Sequence, residues 1–403
     1  MGALVGIDDV YAARELLAGV SRVTPLEGSA VLTKRVGGDV LLKCENLQRT
    51  GSFKIRGAYV RIARLTDAER AGGVVAASAG NHAQGVALAA SLLGCAATVF
   101  MPESAPLPKV AATKAYGAAV HMHGATVDEA LTAAAAWGRE HGAVLIHPFD
   151  HTDVIAGQGT VGLEILEQRP DVQTVVVSLG GGGLVAGIAV AIKALRPDVT
   201  IVGVQAKGAA AFPGSLEGGK PIPLGVMTTM ADGIAVGCPG EVTFTHVRDL
   251  VDRVVTVDED ALSRALLLCL ERAKLVVEPA GAAAVAAVAE EPGAFEPPVV
   301  AVVSGGNVDP VLLSKVIRHG MISAGRYLSL RVLIPDRPGE LAHLLGNLAG
   351  SGTNVLDVEH QRTGRRLHLD EVEVLLQLET RGRAHSDEVV ARLEAEQYSV
   401  SQG

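Results

Sequence analysis

The chain has 403 residues, 48% of them hydrophobic and 20% charged, which is enough for two or three domains with large cores and argues against disorder beyond the termini. A net charge of -9 without any lysine or arginine block argues against nucleic acid as the main partner and favours a small-molecule function. Aromatics are only 3% while glycine reaches 47 residues, so small residues must do the packing, which suits an α/β protein with close helix–sheet contacts.

The chain opens on an acidic, helix-like segment, residues 8–17, without the basic and apolar regions of a signal peptide. No apolar run is long enough to cross a membrane, so a cytoplasmic protein with no membrane partner is expected. Cys44, Cys95, Cys238 and Cys269 lie far apart with no CxxC and no neighbouring metal ligands. They read as buried thiols in a reducing compartment, and no metal site is expected. Residues 30–32 and 40–43 read as short strands flanking the turn Gly37-Gly38-Asp39.

Lys54 then follows Gly51, Ser52 and Phe53 and opens a run whose apolar spacing, Ile55, Ala58, Tyr59, Ile62 and Leu65, suits one face of a helix. The ammonium therefore sits in a first turn. There the helix dipole and Arg56 disfavour a second cation, which lowers the lysine pKa and favours an amine able to form a Schiff base. A solvated lysine in a basic first turn gives the same local pattern.

Strands at 73–77, 96–101 and 118–121 alternate with helices at 81–93, 108–116 and 127–141. A second series has helices at 155–167 and 184–195 and strands at 174–178 and 200–205. Apolar strands without polar alternation indicate parallel sheets covered on both faces, hence two wound lobes with ligands at the carboxyl ends of strands. Two strand-to-helix loops stand out there. Ser78-Ala79-Gly80-Asn81-His82 exposes backbone amides at a helix start, suited to a carboxylate or phosphate. Gly180-Gly181-Gly182-Gly183-Leu184 can wrap an anion as only glycine allows, without the spacing of a dinucleotide fold or a P-loop. A third loop, Ser304-Gly305-Gly306-Asn307, follows the apolar run 299–303. Glu278 precedes Pro279 at the start of an alanine-rich helix, where an ordinary charge complementing the dipole is an equal reading.

SFKIRGA, SAGNHAQG, GGGGL, EPAGA and SGGN, in this order, closely resemble the fold-type II enzymes that use pyridoxal 5'-phosphate, and among them the threonine dehydratases (threonine ammonia-lyases). The resemblance runs from about Val23 to about Met321 and implies the tryptophan synthase β-like architecture, with a catalytic domain over residues 1–320 whose small lobe spans about 46–150. It implies a Schiff base at Lys54, with Phe53 packing on the cofactor ring, Asn81 on its 3-hydroxyl, Gly180, Gly181, Gly182, Gly183 and Leu184 around its phosphate, and Ser304 on its ring nitrogen. The substrate carboxylate would lie on Ser78, Ala79, Gly80, Asn81 and His82, with His82 itself read as a structural residue. In related serine racemases a serine acting as acid/base stands where this chain has Ala79. Elimination from L-threonine, and from L-serine, to 2-oxobutanoate or pyruvate and ammonia is therefore expected over racemisation. Gln205 stands where metal-activated relatives carry a glutamate, so no cation is expected. A serine or 3-hydroxyaspartate dehydratase or racemase, and a non-catalytic amino-acid sensor, remain the competing readings.

Residues 327–403 read as strand, helix, two strands (354–361 and 366–379), helix (386–396) and a short strand at 398–400. With DRPGEL and GTNV this order resembles an ACT domain, a ferredoxin-like α+β module. The resemblance implies a regulatory domain that binds an effector such as isoleucine or valine at Gly339, Glu340, Leu341 and Asn354. Pairing of such sheets would give a homodimer or homotetramer.

Overall fold

The computed structural model describes residues 4–362 and 370–402. Its contacts divide the chain into residues 1–313 and 314–403, a division that falls within the helix Pro310–Ser323.

The larger unit is built on two sheets. One has six strands in the order Leu26–Gly28, Val40–Cys44, Val299–Val303, Thr174–Ser178, Thr200–Ala206 and Arg253–Val257. Only the first of these runs antiparallel to its neighbour. The other has four parallel strands in the order Ala119–Met122, Ala97–Met101, Val74–Ala77 and Val144–Leu145. Central strands such as Thr174–Ser178 and Val299–Val303 are buried at every residue. That is why they lack alternation: both faces are covered by helices.

The glycines explain how those helices approach so closely. A Cβ on Gly157 would stand 2.7 Å from the Cα of Gly57, and one on Gly187 would stand 2.5 Å from the amide of Gly159. Backbone therefore meets backbone where the helix Thr152–Gln168 crosses the helices Lys54–Ala63 and Gly183–Leu195. The expectation for residues 30–32 fails here. They belong to a helix, Ala30–Val36, entered from extended Ser29 and closed by left-handed Gly37 at φ 81°. Three apolar residues are too few to distinguish the two periods, and Gly37-Gly38 ends a helix as readily as it turns a hairpin.

A cluster of four buried charges ties the start of the helix Lys54–Ala63 to its surroundings. The Arg56 guanidinium donates to both oxygens of Glu45 at 2.8 and 2.9 Å and to Glu164 Oε1 at 2.6 Å. Lys43 Nζ donates to the other Glu164 oxygen at 2.6 Å and to the carbonyl of Thr24 at 2.8 Å.

The smaller unit is an antiparallel sheet in the order Asn354–Gln361, Glu371–Glu379, Tyr327–Pro335 and Ser399–Gln402, the ferredoxin-like arrangement. Alternate residues of Tyr327–Pro335 and Glu371–Glu379 are buried against Leu344 and Leu348 of the helix Glu340–Gly350 and Val389 and Leu393 of the helix Arg383–Ala395. Of the expected strand 366–379, residues 366–369 lie outside the described residues.

Removing one carboxylate leaves two cations buried with too few partners. Glu164→Ala should destabilise the fold by about 3–5 kcal/mol, read as an earlier unfolding midpoint in denaturant; an unchanged midpoint would mean the cluster holds nothing in place.

Candidate active site

Three loops leave the carboxyl ends of strands at one place. Ser78 to His82 follow Val74–Ala77, Gly180 to Leu184 follow Thr174–Ser178, and Ser304 follows Val299–Val303. All of them, together with Phe53 and Lys54, line a single cavity of about 740 Å³, the size of a small-molecule site. Every cofactor and substrate residue expected from the sequence in this unit therefore faces the same space.

Lys54 is the first residue of its helix. Its Nζ donates to the carbonyl of Pro148 at 2.8 Å and lies 5.1 Å from the centroid of the Phe53 ring. Burial pushes its pKa down to about 8, partly offset by Glu278. The lowered pKa agrees with the expectation, but the cause given to Arg56 does not hold, because the guanidinium is neutralised by Glu45 and Glu164. Loss of water around the amine does the work.

The glycine loop is shaped by what it presses against. A Cβ on Gly181 would stand 2.3 Å from the Phe149 ring, and one on Gly180 would stand 3.0 Å from the Cα of Ile234. Gly182, at φ 96°, turns the chain into the helix Gly183–Leu195, which is buried from Gly183 to Ile192. The first-turn amides of that helix have no acceptor within it. Beside the loop, Ser178 Oγ donates to Ser304 Oγ at 3.0 Å. Ser304 thus keeps its own hydrogen to give.

At the mouth of the small-lobe helix Asn81–Leu92, the Asn81 amide is held from both sides. Its oxygen accepts from Asn307 Nδ2 at 2.8 Å, and its nitrogen donates to Glu278 Oε1 at 2.5 Å. Glu278 is 3% exposed. Burial, then the charge of Asp232, push its pKa up to about 7, against Lys109, Asn81 and Lys54. Glu278 is more than a dipole partner: it sits in the cavity wall. Burial also pushes His82 down to about 3, and its Nε2 lies 2.8 Å from the carbonyl of Ile146. A neutral ring that donates there fits a structural role.

Sequence reasoning missed Lys109 and Asp232, which also line the cavity and form an ion pair at 2.8 Å. Neither belongs to a recognisable motif, and the residues lie far apart in the chain. Gln205 is wholly buried and accepts from the Phe212 amide at 2.9 Å. Cys44, Cys95 and Cys269 are buried free thiols, whereas Cys238, expected to be buried, is only partly so and lines the cavity. In the smaller unit Gly339 takes φ 96° ahead of Glu340 and Leu341, and Asn354 donates to Glu379 at 3.2 Å. No described helix is long and apolar enough to cross a membrane.

Residues 18–305 match the family described as "Pyridoxal-phosphate dependent enzyme". An L-threonine ammonia-lyase of Thermotoga maritima is 45% identical over 397 residues, covering 98% of this chain and 99% of the relative. Among solved structures, the processed form of threonine deaminase isoform 2 from Solanum lycopersicum is similar at a TM-score of 0.74 and 38% identity over 79% of this chain and 95% of that one. Maize serine racemase is similar at a TM-score of 0.74 and 39% identity over 78% of this chain and 97% of that one.

Because a side chain at Gly181 has no room against Phe149, Gly181→Ala must shift the glycine loop. It should raise the dissociation constant for pyridoxal phosphate by about tenfold or more in equilibrium dialysis, and an unchanged constant would place the phosphate elsewhere.

Proposed function

The chain belongs to the pyridoxal-phosphate dependent enzymes, and from that premise we propose that it is a threonine ammonia-lyase, converting L-threonine to 2-oxobutanoate and ammonia and L-serine to pyruvate and ammonia. The observation that carries this reading is the convergence of Lys54, the glycine loop, Asn81 and Ser304 on one cavity. The residues present fit the cofactor. They offer a buried amine of lowered pKa, a glycine cradle that a Cβ would fill at Gly181, and a serine hydroxyl with a free hydrogen.

When bound, pyridoxal phosphate supplies an aldehyde that links to amines and a ring that accepts the electron pair of a broken bond at Cα. Lys54 Nζ would hold the cofactor through its aldehyde, and the same amine, buried and of lowered pKa, would serve as the base for the α-proton. Gly180 to Leu184 receive the phosphate at a helix N-terminus. Ser304 offers the ring nitrogen a neutral hydroxyl, and Ser178 fixes its direction. A hydroxyl rather than a carboxylate at that place would not stabilise a protonated ring nitrogen, which would favour prompt loss of the β-hydroxyl over slower proton return. Asn81 is oriented by Glu278 and Asn307, which leaves one amide hydrogen for the ring oxygen. Ser78 and the amides of Ala79 to His82 hold the substrate carboxylate. Ala79 has no hydroxyl to reprotonate Cα from the opposite face, so elimination wins over racemisation. Threonine loses water across Cα and Cβ, and water then releases the nitrogen as ammonia, giving the keto acid.

The likeness to a serine racemase supports a second reading, D-serine formation in the same cavity. The ferredoxin-like unit over residues 327–403 is an ACT-type regulatory module with Gly339, Glu340, Leu341 and Asn354 as its effector contacts. It also mediates assembly to a dimer or tetramer of this cytoplasmic enzyme.

Lys54→Ala should reduce 2-oxobutanoate formation from L-threonine by about a thousandfold or more, and an unchanged rate would remove Lys54 from the mechanism. The same assay with L-serine should give pyruvate and little D-serine; substantial D-serine would contradict the role given to Ala79. Isoleucine or valine should shift the saturation curve of the intact protein, and indifference to both would leave the C-terminal unit an assembly module.

A further inference from the structure

Lys109 is the cation in this cavity for which the mechanism above has no use. It sits on the helix Leu107–Ala115 of the small lobe and is 8% exposed. Its described hydrogen bond is to Asp232 Oδ2, at 2.8 Å, from the turn Asp232–Ile234 of the large lobe. The two partners are unequal. The Asp232 side chain is 54% exposed, against 10% for that of Lys109. A half-wet carboxylate compensates poorly for an ammonium taken out of water, so the site favours a second anion. One place for that anion is adjacent: Lys109 Nζ lies 3.8 Å from where a Cβ on Gly80 would stand, against the loop Ser78 to His82. Lys109 and Asp232 also act on buried Glu278 with opposite sign, so the field of the pair reaches the interior of the cavity.

We propose that Lys109 is a specificity-determining residue for α-carboxylates: its ammonium draws the carboxylate of the amino-acid substrate against the Gly80 loop, and Asp232 is the internal competitor that gives it up. This rests on the reading of the loop Ser78 to His82 as the carboxylate site. The backbone amides there supply direction, and Lys109 supplies the full charge they lack. An amino acid without a free carboxylate would leave Lys109 on Asp232 and gain nothing from it. A mere latch between the lobes would use the same ion pair, but the two roles differ in sign. If Asp232 competes with substrate, removing its charge strengthens substrate binding; if it only latches, removing it weakens binding.

The test compares the full-length, cofactor-loaded protein with Lys109→Met and Asp232→Asn. KM and kcat for L-threonine are measured by 2-oxobutanoate, and the dissociation constant of L-2-aminobutanoate, which has no β-leaving group, is measured by calorimetry. Lys109→Met should raise KM and that constant by about tenfold, more than it lowers kcat, while Asp232→Asn should lower both constants. A rise in both constants for both variants would make the pair a latch and overturn the proposal, as would Lys109→Met with an unchanged KM. Should Lys109→Met fail to fold, the direction of change in Asp232→Asn alone decides. A wild-type protein that makes no 2-oxobutanoate would overturn the threonine reading and this inference with it. An active wild type with insensitive variants overturns the inference alone.

Discussion

The position of the Lys54 amine depends on a cluster of four buried charges that does not line the cavity. Arg56 is two residues beyond Lys54 on the same helix, and its guanidinium is clasped by Glu45 and Glu164, with Lys43 closing the set on the far oxygen of Glu164. Such a cluster adds little net stability compared with apolar packing, but each member is costly to orphan. Its consequence is geometric: the first turn of the helix has one admissible placement, and Lys54 is carried with it. Because the carboxylates neutralise Arg56, the amine is governed by burial and by Glu278.

The cavity combines such fixed geometry with a balance of charge. Lys54 and Lys109 line it together with Asp128, Asp232 and Glu278, two ammonium groups among three carboxyls. Neutral polar groups lie around them: the glycine amides, the Asn81 amide and the Ser178–Ser304 hydroxyl pair. On the proposed reading, neutral donors at the ends of parallel strands hold an anion without stabilising a protonated ring, the electronic setting that elimination needs. The fold supplies that arrangement because three of its strands end at the same point, each followed by a loop of small residues.

Much of this was legible in the sequence because it is local. The helix 127–141 and the strands 174–178 and 299–303 follow from periodicity and punctuation, and the glycine loop announces itself. Residues 30–32 misled because a three-residue apolar run carries no period and Gly37 serves a helix end as well as a hairpin. What stayed hidden is long-range. Glu45, Glu164 and Arg56 lie too far apart in sequence to suggest a cluster, and without it Arg56 looked like a neighbour acting on Lys54. Lys109 and Asp232 occupy no motif, and Glu278 was indistinguishable from a helix-dipole charge until the structure placed it beside Asn81. Composition fixes neither burial nor partner, and both decide what a charged side chain does.

The most direct measurement is covalent capture of the cofactor. Protein freed of cofactor is mixed with pyridoxal phosphate, reduced with borohydride across a range of pH, digested and mapped by mass. The account predicts one label per chain, on the peptide containing Lys54, with uptake rising as the amine loses its proton near pH 8. Label spread over surface lysines, or carried by Lys109 or Lys43 while Lys54 stays unmodified, would contradict it.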